Sequence, residues 1–140
     1  MNPVLSKIIE LINSDNFYKA ELEIRKIYPN NPQSFDLNKM LGLCLLAQRK
    51  YNSALKCFER CFSIKKDDYD VVLNLSFIFT KIQFYEEAIN YSKEAIKLDP
   101  QRPQAYQNIS TSYFFLGKFK EAKKYAEESI QIRGGLAALN

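Results

Sequence analysis

The sequence predicts an all-α chain of about eight antiparallel helices folded as a stack of hairpins. Three observations predict it. Ala20, Ala54, Ala88 and Ala122 recur every 34 residues without insertion or deletion. Within each period, apolar residues fall at helical spacing, as in Val72, Leu75, Phe79 and Ile82, and not at the alternation of a strand. Each period also breaks once in its middle, which divides it into two helical runs. A fixed period of about 20–50 residues marks a stacked repeat architecture. Two runs joined by a short turn make a helical hairpin.

Further columns share the period. An aromatic stands three residues before each alanine: Phe17, Tyr51, Tyr85 and Phe119. Leu41, Leu75 and Ile109 are followed by the small residues Gly42, Ser76 and Ser110. Helix axes that cross at the near end of the usual range of about 8–10 Å need small side chains at the crossing. Gly42, Ala54 and Cys61, then Ser76, Ala88 and Ala95, then Ser110, Ala122 and Ser129, supply them. A unit of this kind cannot bury its apolar face alone, so stacking must complete each core. The pattern Leu-Gly/Ser, then Ala after an aromatic, then a closing Pro resembles the tetratricopeptide (TPR) repeat. The resemblance covers residues 1 to about 134, with repeats at 1–34, 35–68, 69–102 and 103–136.

The elements follow in order. Asn2 and Pro3 open the first helix, since proline suits a first helical turn; its apolar set is Val4, Ile8, Leu11 and Ile12. Lys7 and Ile8 stand where later copies have an aliphatic and a small residue, so this unit is the atypical terminal one. The second helix runs from Phe17 to about Tyr28, and Pro29 and Pro32 end it. Ser34 and Asp36 open the second unit, which breaks at Arg49–Lys50 and resumes from Tyr51 to Ile64. Lys66 occupies the closing proline position, so that join is expected to differ. The third unit closes on Asp99-Pro100. The fourth opens at Pro103 and turns at Gly117-Lys118. Gly134-Gly135 is expected to end the last helix, leaving 135–140 as a C-terminal stub after a single array at 1–134.

Bulk properties exclude several functions. The chain has 140 residues, 46% hydrophobic, with a mild net charge of +4. No apolar run approaches the roughly 18 residues of a membrane span, and the N-terminus lacks the basic and apolar regions of a secretory signal. Acids and bases intermix along the helices, and the cluster Lys118, Lys120, Lys123 and Lys124 is interrupted by Glu121, which reads as a solvated face and not a nucleic-acid surface. The three cysteines are an odd number, and Cys57 and Cys61 sit at core spacing. Free buried cysteine packs as a small hydrophobe, and unpaired thiols favour a reducing, cytoplasmic setting. The Asn-x-Ser triplets at Asn74, Asn90 and Asn108 follow from the repeat. There is no histidine, no glycine-rich phosphate loop and no nucleophile elbow. No enzyme activity, metal or cofactor is therefore expected.

The resemblance implies a right-handed α–α superhelix whose first helices line a concave groove, and a role as a protein- or peptide-binding module. The candidate contacts on those helices are Lys39, Leu43 and Leu46, with Ala47 beside them; Asp70, Asn74, Phe77 and Lys81, with Leu73; and Gln104, Asn108, Thr111 and Phe114, with Gln107 and Phe115. In TPR arrays that grip extended peptides, asparagines matching Asn74 and Asn108 bond the ligand backbone through the amide. A clamp for acidic chaperone tails would need lysines, asparagines and an arginine at Lys39, Leu43, Asn74, Gln104 and Asn108, and only Lys39 and Asn74 agree. Alternatives are the N-terminal part of a larger enzyme such as a glycosyltransferase, or a TPR-type chaperone or co-chaperone. No polar-faced closing helix follows the last repeat. The chain is therefore expected to be a piece of a longer protein, or else to self-associate through that uncapped end.

Overall fold

One turn, repeated four times, sets the architecture. Asp15, Arg49, Gln83 and Gly117 all have positive φ, between 58° and 77°, and they occupy the same place in successive periods. Two residues past each first helix, the next N–H reaches back to the same carbonyl. Asn16 bonds Leu11 at 2.7 Å, Lys50 bonds Leu45 at 2.9 Å, Phe84 bonds Phe79 at 2.8 Å and Lys118 bonds Tyr113 at 2.9 Å. This left-handed closure satisfies carbonyls that a helix end leaves open. The reversed chain then starts its second helix at once.

The computed structural model describes residues 2–139. Eight α-helices are present among them: α1 (Pro3–Asn13), α2 (Phe17–Ile27), α3 (Phe35–Ala47), α4 (Tyr51–Ile64), α5 (Tyr69–Lys81), α6 (Tyr85–Leu98), α7 (Pro103–Phe115) and α8 (Phe119–Leu139). No strand occurs in the described residues. The all-α expectation and nearly every predicted boundary agree with this. Asn2, Ser34 and Asp68 cap α1, α3 and α5 through side-chain oxygens that accept from Val4, Leu37 and Val71, which satisfies first-turn N–H groups. Lys65 before Lys66 has φ −143° and ψ 112°, and Asp99 before Pro100 has φ −151° and ψ 93°. The join at Lys66 therefore keeps the extended backbone that a proline would impose on its predecessor.

The C-terminal end corrects the sequence reading. The last helix does not stop at Gly134-Gly135 but runs through both to Leu139. Glycine ends a helix by taking positive φ, and among the glycines only Gly117 does so. Leu136, Ala137, Ala138 and Leu139 are good helix formers, so the two glycines weaken the helix without ending it. Asn140 lies outside the described residues.

The chain divides into two compact units, Met1–Lys66 and Asp67–Asn140. In the first, Ile8, Ala20, Ile24, Leu41, Cys44, Ala54, Phe58 and Cys61 are buried. Gly42 is required there, since a Cβ on it would lie 2.9 Å from the Phe58 ring. Lys7, standing at a core position, turns out to Glu23 at 3.5 Å. The buried Asn38 fixes the loop between α2 and α3: its amide donates to the carbonyls of Pro32 and Ser34 and accepts from the Tyr28 hydroxyl.

In the second unit, Val71, Val72, Leu75, Ile78, Ala88, Ala95, Ala105 and Ile109 form the core. The small-residue crossing of α7 and α8 is hydrogen-bonded as well as close, since Ser110 donates to the Ala122 carbonyl at 2.7 Å. Stacked rings brace both hairpins at equivalent places, Phe79 on Tyr91 at 5.5 Å and Tyr113 on Tyr125 at 5.7 Å. Helix α7 seats against α5 and α6 through three contacts. The Asn108 amide donates to the Ser76 hydroxyl at 2.9 Å, the Thr80 and Ser112 hydroxyls are 3.1 Å apart, and the Phe115 ring stacks on Tyr85 at 5.2 Å.

Candidate functional site

An amphipathic helix that buries one stripe leaves another to solvent. In each unit the first helix of a hairpin leaves a stripe that its core does not use. None of the eleven candidate contacts is buried: Lys39, Leu43, Leu46, Asn74, Phe77 and Asn108 are half-buried, and Asp70, Lys81, Gln104, Thr111 and Phe114 are exposed.

In the unit Met1–Lys66, Leu5, Ile9, Asp36, Lys39, Met40 and Leu43 line a groove of about 380 Å³ between α1 and α3. Its floor is apolar and its rim carries one acid and one base. The Lys39 ammonium lies 5.9 Å from the centre of the Phe35 ring. Of these, Lys39 and Leu43 are among the contacts expected from the sequence, and Leu5, Ile9, Asp36 and Met40 are not. The signal was there, because Ile9 sits one period before Leu43 and Leu5 one period before Lys39.

In the unit Asp67–Asn140, Asp70, Asn74, Phe77 and Lys81 run along α5 at helical spacing. Asp70 pairs with Arg102 at 3.3 Å, and the Arg102 guanidinium covers the Tyr69 ring at 4.0 Å. The Lys81 ammonium stands 5.2 Å from the centre of the Phe77 ring, which makes an aromatic surface with a cationic edge. Asn74 bonds to no other described residue. Asn108, its counterpart one period later, is partly committed, since its amide nitrogen holds Ser76.

Phe114 belongs elsewhere. It lines a groove of about 490 Å³ between α7 and α8, with Ser110, Thr111, Phe119, Ala122, Lys123 and Ala126. Its ring meets Phe119 edge-on at 5.4 Å and Phe115 at 5.6 Å. One period earlier its place is held by Thr80, which bonds the following first helix. That column faces a stacking neighbour. The distinction is one of helical angle, and a list of exposed residues does not reveal it.

The titratable groups give no reactive constellation. Burial, with the nearby Glu21 charge, pushes the Cys44 thiol up to about 11, and burial raises Cys57 as well. A thiol held protonated is a poor nucleophile. For Glu21, burial would raise the carboxyl, but hydrogen bonds from Arg25 at 2.7 Å, Gln48 at 2.8 Å and Lys50 at 3.3 Å outweigh it and hold the group below its ordinary value. These bonds tie α2 to the α3–α4 turn and have no free partner to offer. Among the described residues, no three His, Cys, Asp or Glu side chains stand together as a metal site. No described helix is long and apolar enough to cross a membrane.

Comparison with known proteins agrees with the fold. The family model "Tetratricopeptide repeat" matches residues 38–68, 69–102 and 103–135. Protein STIP1 homolog of Dictyostelium discoideum is 29% identical over 102 residues, covering 73% of this chain and 18% of that protein. Photosystem I assembly protein Ycf3 of Synechococcus elongatus is 26% identical over 118 residues, covering 77% of this chain and 68% of that one. Among solved structures, MamA 41-end from Desulfovibrio magneticus RS-1 superposes with a TM-score of 0.88 at 20% identity, over 95% of this chain and 75% of that one. At that identity the likeness speaks for the fold. The chain spans less than a fifth of the first relative's length.

Proposed function

Because this chain belongs to the tetratricopeptide repeat family, we propose that it is a non-catalytic interaction module that binds a protein or peptide segment along the exposed stripes of its first helices. The observation that carries the proposal is the α5 stripe. It presents an unpaired amide at Asn74 between the acid of Asp70 and the Phe77–Lys81 pair. An amide that offers both donor and acceptor suits the backbone of an extended ligand. An aromatic ring beside it supplies the apolar anchor on which binding energy concentrates. The groove between α1 and α3 offers a second apolar trough of the same kind. The relatives' printed names, one an assembly protein, support partnership with other proteins. Three buried cysteine thiols outside any disulfide support a reducing, cytoplasmic setting.

A tagged chain should capture a partner from an extract of its own cells. Asn74→Ala combined with Phe77→Arg is expected to weaken that capture at least about tenfold, which corresponds to roughly 1.4 kcal/mol. Neither side chain is buried, so circular dichroism and the melting temperature should not change. Capture that survives both substitutions would place the ligand on another face.

A further inference from the structure

The groove between α7 and α8 repeats the arrangement in which α7 itself is seated against α5 and α6. Three of the residues lining it lie one period after residues that hold α7 in its own seat: Ser110 follows Ser76, Phe114 follows Thr80, and Phe119 follows Tyr85. In the internal seat these residues bond Asn108 and Ser112 and stack on Phe115. In the open seat, Phe114 is 57% and Phe119 is 61% exposed. The stripe continues along α8 through Ala126 to Ile130, which is 69% exposed, and on to Arg133 and Ala137.

We propose that a second copy of this chain occupies the seat, α8 crossing α8 antiparallel about a two-fold axis at Ala126. A small residue at the crossing permits close approach. Residues equidistant from Ala126 then meet: Ile130 of each copy lies on Ala122 of the other beside Phe114 and Phe119, and Arg133 of each faces the Phe119 ring of the other. An isologous contact requires a self-complementary surface, and the charges comply. Lys123 and Glu127, 3.9 Å apart on one rim of the stripe, have their midpoint at position 125, one residue from the axis. The reversed pair of the second copy therefore lies along the same rim, and each lysine comes within reach of a glutamate of the second copy. Head-to-tail stacking is disfavoured, because α1 offers Pro3, Ser6, Glu10 and Asn13 at the positions by which α7 enters its seat, and all four are exposed.

Analytical ultracentrifugation of the full chain, from micromolar to millimolar, should show a monomer–dimer equilibrium. Ile130→Glu should raise the dimer dissociation constant about a hundredfold, as for a central interface residue, with an unchanged melting temperature. Lys123→Glu should weaken the dimer, and Lys123→Glu with Glu127→Lys should restore it. Ala126→Cys should form an intermolecular disulfide on mild oxidation, while Lys97→Cys does not; the three native cysteines are buried. A strict monomer at millimolar concentration overturns the proposal. So does a dimer indifferent to Ile130→Glu, or an association broken by substitutions in α1 instead. Asn74 and Phe77 take no part, so their variants should dimerise normally whatever becomes of peptide capture.

Discussion

Ser92 is fully buried, and its hydroxyl has no hydrogen-bond partner among the described residues. A buried hydroxyl left unbonded costs about 1–3 kcal/mol, and Ser92→Ala removes the oxygen while leaving almost no void. Ser92→Ala should therefore stabilise the chain by about 1 kcal/mol, seen as a rise of roughly 3 °C in the melting temperature. A lower melting temperature would mean that the hydroxyl has a partner in solution. The other small residues behave differently. The Ser76 hydroxyl donates to the Leu73 carbonyl at 2.7 Å and receives the Asn108 amide, and Ser129 donates to Pro103 at 3.3 Å. The sequence marks Ser76 and Ser129 as small, because each falls in a crossing column, whereas the column of Ser92 also holds Ile24 and Phe58. It does not tell which hydroxyl is bonded, since that depends on which carbonyl or amide a neighbouring helix brings within reach. Gly42 shows the same limit. Its smallness was legible, but its reason, the Phe58 ring from α4, appears only once the helices are packed.

At the scale of the element, each helix pair depends on a residue held at positive φ. Three of the four are not glycine: Asp15, Arg49 and Gln83. A side chain in the left-handed region costs roughly 1–2 kcal/mol relative to the right-handed one, and the closing hydrogen bonds of the turn offset it. At Gly117, with φ 77°, no atom lies within 4 Å of where a Cβ would stand. Gly117→Ala therefore isolates the backbone effect and should destabilise the chain by about 1 kcal/mol. Gln83→Gly should act in the opposite sense. Chemical denaturation checks both, and a neutral Gly117→Ala would mean that the turn relaxes to another conformation. Most helix boundaries were legible because prolines, caps and this recurring turn are local signals. The end of α8 was not. Gly117 and Gly134 look alike in the sequence, yet only one is required to reverse the chain, and the helix formers after Gly135 decide the outcome. The candidate site was half legible for a related reason. Helical spacing identifies the first-helix stripe, but the few tens of degrees between the Phe77 and Phe114 columns separate that stripe from the column that seats the following helix.

Across the whole molecule, titration follows from a short inventory. The chain has no histidine, so no side chain has an ordinary pKa between about 5 and 8. On the acid side, Glu21 is the group most tightly held, its hydrogen bonds from Arg25, Gln48 and Lys50 outweighing burial to lower its folded value below the ordinary 4.5. The unfolded chain binds that proton more readily. The stabilisation is therefore complete above 4.5 and fades as pH falls through the folded value. Glu23, bonded by Lys26 and Lys7, shifts in the same direction. On the alkaline side, burial raises Cys44 from 9.0 to about 11. The folded state keeps that proton longer, so its contribution is complete below 9.0 and is lost as pH climbs towards 11. Stability should form a plateau across about pH 6–8 and fall on both sides. Urea midpoints measured at half-unit intervals will trace this, and Glu21→Gln should lower the plateau while flattening the acid limb. An inflection near pH 6.5 would contradict the inventory. So would an acid limb that Glu21→Gln leaves as steep as before, because the clamp joining α2 to the α3–α4 turn would then not be the bond that acid breaks.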